Sequence, residues 1–399
     1  MMSANAMLRQ SPPISANIHG VRRRAFIFGI LLCISEAQTH TPNAAKGPPK
    51  APLPVFEIAL SKDADYQTLP WAWTTKREAV EADCVGDGNV YVLWPSKGLV
   101  ALTPNGVVSF LNDKMTDIPH PFTTFLGMNP SISGSGIAFN VTGTDDAKVE
   151  VTTWTDDQGH LHTERDATNA ALPYIARFDK DGTYKGAIAV DLPFLIYKFA
   201  AFDSGNIIAQ GIDRNKVPRI ALLDSSAKFL RYLDLQKDVS TAQDVAADDI
   251  KCAGCTARVD EVVWNSYFTP WHGRILFLRA FSGRPRVYEI QESGQTRVVS
   301  IKAPENYGIG GLISTDRNWF IYFNKPDAKG NRPDAFDSLL EVDPQTGKPL
   351  GEYRMGPPDK MPETVISCFF DGEFWGVRQD AKEQKLEVVR GTAAPYRGK

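Results

Sequence analysis

The chain has 399 residues, 43% of them hydrophobic and 23% charged, with 31 glycines and 27 prolines, which is a globular composition rich in turns. Its formal net charge is −3 and it has no basic stripe, so the sequence argues against a nucleic-acid-binding surface. One ordinary hydrophobic core rarely serves so long a chain, and the length therefore favours two domains or a repeat architecture.

The N-terminal segment has the pattern of an export signal. Three arginines at 22–24 precede an apolar run at 25–34, and residues 35–37 provide a small-x-small cleavage site. The run of ten residues is about half of the roughly twenty that span a bilayer, so no membrane span is expected in the mature protein. Residues 1–37 therefore predict a signal peptide and an exported protein, periplasmic or extracellular.

The route of export stays open. Arg23 and Arg24, followed by an apolar run, resemble a twin-arginine signal. Arg22 stands where that signal usually has Ser or Thr, so the general secretory route is the alternative.

Residues 84–111 predict a four-stranded antiparallel meander. Runs at 89–94, 99–103 and 107–111 are rich in Val, Tyr, Trp, Leu and Phe, and a fourth run ends at Val85. Gly, Pro, Asn and Asp separate the runs, as is typical of short strands joined by tight turns.

Degenerate copies of this meander recur five more times along the chain. The second, fourth and fifth copies show three clear runs each, and the sixth stops one strand short. Residues 56–60 (FEIAL) form a strand with no partner nearby, and this strand can complete the last copy. Such pairing closes a ring and removes open sheet edges. The sequence thus predicts an all-β fold, a six-bladed β-propeller closed by its N-terminal strand, with a β-sandwich plus a second β domain as the alternative.

The pattern resembles six-bladed β-propellers of the NHL or TolB-like kind, in architecture only. With this resemblance, the predicted organisation is a signal peptide at 1–37, a linker at 38–54, the propeller at 55–391 and a tail at 392–399. The linker is inferred from its five prolines and its near lack of large apolar side chains.

One face of the predicted propeller carries the long insertions. The template places residues 142–172 and 325–337 between second and third strands, which puts both on the same face. Insertions on one face of a repeat protein usually mark the binding face.

The connectors on that face combine aromatic rings, amides and a few carboxylates, which suit a polar organic ligand such as a glycan or a peptide. Packing of these rings between blades is the alternative. The ligand-binding candidates are Trp71, Trp73, Asn129, Trp264, Asn265, Tyr267, Asn306, Tyr307 and Glu363, and the same connectors carry His120, Tyr197 and Glu261.

The insertion at 142–172 is itself patterned as a β-hairpin arm. Runs at 149–155 and 160–165 flank a turn at 156–159. His160 and His162 are two residues apart and share a side of a strand, so they could form half of a Zn²⁺ or Cu²⁺ site. Ordinary polar surface is the alternative for these two histidines.

Two functions from different classes are compatible with this sequence. The first is an exported, non-enzymatic binding or scaffold protein without a cofactor, binding a glycan, another polar organic ligand or a protein partner. The second is a metal-assisted hydrolase, because Asn129, Asn265 and Asn306 with a glutamate are similar to the metal site of gluconolactonase-like enzymes. That similarity implies a divalent ion that polarises a lactone carbonyl and activates water.

The cysteines are expected to be structural. Cys252 and Cys255 are predicted to form a local disulfide, with a redox-active pair as the alternative. Cys84 and Cys368 each stand three residues before an Asp-Gly, at equivalent places of the template. Equivalent side chains of neighbouring blades point in the same rotational sense, so both are predicted to be buried thiols.

Overall fold

The chain is built from strands joined by short turns. The computed structural model describes residues 53–62, 81–83, 89–94, 98–103, 106–110, 115–120, 131–166, 170–213, 215, 217–233, 266–279, 285–302, 308–324, 338–355, 364–380 and 385–397. These residues form β1 (Val55–Lys62) and the strands of the sheets below, together with one 3-10 helix, Asp146–Lys148.

Among the described residues, strands pair antiparallel in five groups of four and one group of three. The first group is β2 (Glu81–Asp83), β3 (Val90–Trp94), β4 (Gly98–Thr103) and β5 (Gly106–Phe110). The second is β6 (Ser131–Ser133), β7 (Gly136–Thr144), β10 (Ala171–Phe178) and β11 (Tyr184–Ala189), with β8 (Glu150–Thr155) and β9 (Leu161–Asp166) inserted after β7. The third is β12 (Phe194–Ala201), β13 (Ile207–Asp213), β14 (Pro218–Leu223) and β15 (Phe229–Tyr232).

The remaining groups follow the same pattern. The fourth is β16 (Ser266–Trp271), β17 (Arg274–Arg279), β18 (Arg286–Ile290) and β19 (Thr296–Ser300). The fifth is β20 (Gly308–Ser314), β21 (Trp319–Asn324), β22 (Ser338–Val342) and β23 (Pro349–Met355). The last is β24 (Thr364–Phe370), β25 (Glu373–Asp380) and β26 (Lys385–Pro395). The predicted all-β class and the predicted four-stranded antiparallel sheets are confirmed, and this arrangement is consistent with a β-propeller.

β1 lies between two of these groups. It pairs antiparallel with β26, from Phe56 opposite Pro395 to Lys62 opposite Val389, and parallel with β23. The last two groups and β1 therefore form one eight-stranded sheet. β26 extends four residues past residue 391, where the sequence analysis ends the propeller, because those residues pair with the start of β1.

The first strands of the groups contact one another in succession. β6 contacts β12, β12 contacts β16, β16 contacts β20, β20 contacts β24, and β24 contacts β2. Hydrophobic clusters fill the space between neighbouring groups; one of them joins Ile58 of β1, Phe320 of β21 and Phe374 of β25. Burial of large apolar side chains between sheets is the main stabilising contribution to such a fold.

Cys368 corrects one expectation about the cysteines. This residue lies on β24 and is disulfide-bonded, so the prediction of a buried thiol is wrong for it. The pairing of β24 with β25 shifts register between Ile366 and Cys368, which is a β-bulge. A bulge re-aims the side chains beside it, so the direction of the Cys368 side chain does not follow from its position in the template. Cys84, Cys252 and Cys255 lie outside the described residues.

Among the described residues, no helix is long and apolar enough to cross a membrane.

We expect Cys84 to be the partner of Cys368, because β24 contacts β2, which ends one residue before Cys84. Peptide mapping by mass spectrometry under non-reducing conditions should find these two cysteines joined. Replacing Cys368 by Ser should then lower the free energy of unfolding by about 2 to 5 kcal/mol. Linkage of Cys368 to Cys252 or Cys255 would contradict this assignment.

The packing of β1 can be measured with a matched pair of substitutions. Ile58 is 1% exposed, whereas the neighbouring Glu57 is exposed. Ile58→Ala should cost about 3 kcal/mol of unfolding free energy in urea, because it leaves a cavity in a packed core. Glu57→Ala, on the solvent side of the same strand, should change it by less than about 0.5 kcal/mol. Equal effects of the two substitutions would show that β1 is not packed as described.

Candidate functional site

A large cavity opens where the first strands of five groups turn into their second strands. The end cavity, as we name it, has a volume of about 1010 Å³. It is lined by the ends of β6, β16, β20 and β24 and by the turns that follow β12 and these four strands. Side chains of β21, β22 and β23 add to the lining. Its residues are Ile132, Ser133, Gly134, Lys180, Asp203, Thr269, Pro270, Trp271, His272, Leu312, Ile313, Ser314, Thr315, Asp316, Arg317, Asn318, Phe320, Glu341, Tyr353, Ser367, Phe369, Phe370, Asp371 and Gly372.

Tight turns place two ionisable residues in the cavity lining. His272 and Gly273 have φ values of 48° and 68°, and Asp371 and Gly372 have φ values of 50° and 82°. Two successive residues with positive φ make the two-residue hairpin turn that Asp-Gly favours. The local sequence thus sets the turn, and the turn brings His272 and Asp371 to the cavity.

Polar contacts between neighbouring groups fix one side of the cavity. The backbone N–H of Gly134 donates to Oδ1 of Asp203 over 2.5 Å, and the hydroxyls of Ser133 and Ser135 contact the Phe202 carbonyl at 3.3 and 3.1 Å. A Cβ atom on Gly134 would lie 2.8 Å from Asp203 Oδ1. A side chain at position 134 would therefore displace the Asp203 carboxylate from this contact.

A second pair of contacts joins the fourth group to the fifth. Trp271 Nε1 donates to the Thr315 carbonyl over 2.9 Å, and His272 Nε2 lies 3.2 Å from Asp316 Oδ1. The turn after β16 is thereby held against the turn after β20.

Glu341 is positioned by two neutral donors. Asn318 Nδ2 donates to its Oε1 over 2.5 Å, and the Tyr353 hydroxyl donates to its Oε2 over 2.8 Å. Burial, followed by the hydrogen bond with Glu341, raises the pKa of Tyr353 above its usual range. The phenol therefore stays protonated and keeps donating to the carboxylate at neutral pH.

Ser367 adds a buried hydroxyl to the same region. It is the bulged residue of β24 and is 8% exposed, and its Oγ has no hydrogen-bond partner in the structure. Buried polar atoms are nearly always paired, so an unpaired hydroxyl in a cavity wall is a candidate ligand contact. Phe320 and Phe369, whose ring centres lie 5.2 Å apart, line the same cavity.

Most of the predicted ligand-binding residues cannot be placed. Trp71, Trp73, Asn129, Trp264, Asn265, Asn306, Tyr307 and Glu363 lie outside the described residues, as do Cys252, Cys255 and residues 325–337. Tyr267 is half-buried on β16, with Lys198 Nζ 4.3 Å from the centre of its ring, and it packs against a core cluster. It does not line the end cavity.

The end cavity does not lie on the predicted binding face, which is the one that carries the insertions, but on the opposite face. In an antiparallel meander, turns between first and second strands lie at one end, and loops between second and third strands lie at the other. The insertions at 142–172 and 325–337 follow β7 and β21, which are second strands. The cavity-lining residues were missed because an Asp-Gly or His-Gly pair indicates a turn and gives no sign of a binding site.

The predicted hairpin arm is present. β8 and β9 pair with each other, and all of their residues are exposed. At its tip, Asp156 Oδ2 lies 3.2 Å from His160 Nδ1 and 2.8 Å from His162 Nε2. Within the described part of the chain, no group of three or more His, Cys, Asp or Glu residues is arranged to hold a metal ion. A metal half-site at His160 and His162 stays a hypothesis, and ordinary polar surface stays its alternative.

Comparisons with known proteins give a likeness to solved structures only. No family model and no curated protein matches the sequence. A glucose dehydrogenase is 11% identical with a TM-score of 0.41, and the match covers 84% of this chain and 99% of that one. A candidate TolB from Agrobacterium tumefaciens is 12% identical with a TM-score of 0.40, covering 79% and 90%. A candidate gluconolactonase is 10% identical with a TM-score of 0.38, covering 86% and 94%. The chain is similar to these proteins in architecture only.

The contacts at the arm tip predict a shifted titration. The hydrogen bond from His162, followed by that from the His160 backbone N–H, lowers the pKa of Asp156 below its ordinary value. His162→Ala should therefore raise the Asp156 pKa, as measured by carboxyl ¹³C NMR. His160→Ala keeps its backbone N–H and should have the smaller effect. A larger effect of His160→Ala would contradict the arrangement.

Proposed function

We propose that the chain is an exported, six-bladed β-propeller that binds a small polar organic ligand in the end cavity. The observation that carries the binding role is the cavity itself, which five of the groups line with aromatic rings, carboxylates and hydroxyls. Ligand sites in proteins typically combine an apolar wall with a few convergent polar groups in this way.

Three observations support the six blades and their closure. Each of the six groups has four strands when β1 is counted with β24, β25 and β26. The first strands contact one another in succession, including β24 with β2. The pairing of β1 with β26 joins the two ends of the folded region in one sheet.

Export is supported by the N-terminal pattern and by one cysteine. Residues 1–37 have the charge, apolar length and cleavage site of a signal peptide, and residues 38–54 have the composition of a linker. Cys368 is disulfide-bonded, and stable disulfides are found mainly in proteins of oxidising compartments. We place the mature protein in the periplasm or outside the cell.

The insertion-bearing face is the second candidate surface for binding. Its hairpin arm exposes Val151, Trp154 and Leu161 by 58%, 45% and 71%. Exposed large apolar side chains on a projecting element are suited to contact a protein partner. The end cavity is better suited to a small molecule, because it is concave.

Two variants distinguish the end cavity from the arm. Ser314→Trp fills the cavity from the end of β20, and replacing residues 147–166 with a Gly-Ser linker removes an arm whose strands are fully exposed. Saturation-transfer NMR against monosaccharides, disaccharides and dipeptides should give signals that Ser314→Trp loses and the arm deletion keeps. Thermal unfolding serves as the control for folding. Signals lost only on arm deletion would show that the ligand binds to the arm and not in the end cavity.

A further inference from the structure

The charged groups of the end cavity are not balanced. Its lining carries three basic side chains against four carboxylates, and His272 pairs with one of these carboxylates, that of Asp316. The basic residues are Lys180, His272 and Arg317, and the carboxylates are Asp203, Asp316, Glu341 and Asp371.

Glu341 differs from the other carboxylates in how it is held. Its contacts with described residues are to an amide and a phenol, both neutral, and no described basic side chain forms an ion pair with it. A carboxylate has about four lone-pair positions, so two hydrogen bonds leave further capacity to accept. Glu341 is only partly exposed, and a charge in such a place interacts more strongly with a counter-charge than it would in water.

Aromatic rings and a free hydroxyl lie in the same part of the cavity. The Phe320 ring lies 5.3 Å from the ring of Tyr353 and 5.2 Å from that of Phe369. Phe320 is 3% exposed and packs among these rings, whereas Phe369 is only half-buried and lines the cavity, where an aromatic ring can attract a cation. Ser367 is more than nine-tenths buried, and its Oγ, which can accept or donate a hydrogen bond, has no hydrogen-bond partner among the described residues.

We propose that the end cavity selects a small organic ammonium cation. Glu341 supplies the counter-charge, Asn318 and Tyr353 fix its carboxylate, and the half-buried ring of Phe369 lies against the alkyl groups of the cation. Ser367 hydrogen-bonds a polar group of the same ligand. This inference rests on the proposed binding role of the end cavity and adds the charge of the ligand to it.

Choline and its neutral isostere 3,3-dimethylbutan-1-ol form a matched pair of probes, because they differ mainly in the charge of the central atom. Titration of the full mature chain, followed by NMR, should show that choline binds at least tenfold more tightly. Glu341→Gln keeps the shape of the side chain and removes its charge, so it should reduce this preference to about twofold or less. Glu164→Gln, on the exposed strand β9, is the control and should leave the preference unchanged.

The comparison of the two probes on the unaltered protein needs no variant, so loss of folding cannot obscure it. Equal affinity for the two probes, no binding of either at millimolar concentration, or an unchanged preference in Glu341→Gln would overturn the proposal. Neutral ligands that bind and are lost in Ser314→Trp would overturn the cation preference and leave the binding role of the cavity intact. Choline binding that Ser314→Trp does not affect would overturn both.

Discussion

β1 occupies the position on which the rest of the described structure depends. Its backbone pairs with β26 on one side and with β23 on the other, and the Pro54 and Val55 carbonyls accept from the N–H groups of Glu352 and Tyr396. Without β1, β23 and β26 would both be open sheet edges, which invite pairing with other chains. Because β1 comes from the start of the folded region and β26 from its end, this sheet forms only when distant parts of the chain meet. The entropy of that closure must be offset by the packing it allows.

The same strand is connected to the candidate site through one tyrosine. The ring of Phe56, on β1, stacks on the ring of Tyr353 with a centroid distance of 4.8 Å, and the Tyr353 hydroxyl donates to Glu341. Glu341 and Phe320 come from the fifth group, and Ser367 comes from the sixth. β1 therefore helps to position Glu341 in the wall of the cavity. Stability and ligand recognition are expected to be coupled at this junction.

The sequence predicts the second and third strands of the groups better than several of the first strands, which we call inner strands. Strands such as β3, β13 and β18 are rich in β-branched and aromatic residues and are recognised from their composition. β16 contains Pro270, β20 is rich in glycine, and β6 has only three residues, so intrinsic propensity gives little signal for them. These inner strands pair within their sheets on one side only. There a proline costs no ladder hydrogen bond, and Gly311 admits the Tyr322 ring, which would lie 3.2 Å from an added Cβ.

The end cavity could not be predicted from the sequence for a different reason. Its walls are made by contacts between groups, such as Gly134 with Asp203, whose partners are 69 residues apart. Each turn residue is fully explained by its local role, so nothing in one copy of the meander shows that the turns converge. The disulfide at Cys368 was missed for a related reason, since it joins this residue to another part of the chain and the local pattern of one copy does not show such a bond. Repeats predict the strands and turns that the copies share, whereas the candidate site also needs side chains that belong to single copies. Ser367, the hydrogen-bonded Glu341 and β1 lie in the fifth and sixth groups or between them, so a template drawn from all copies does not show that they come together.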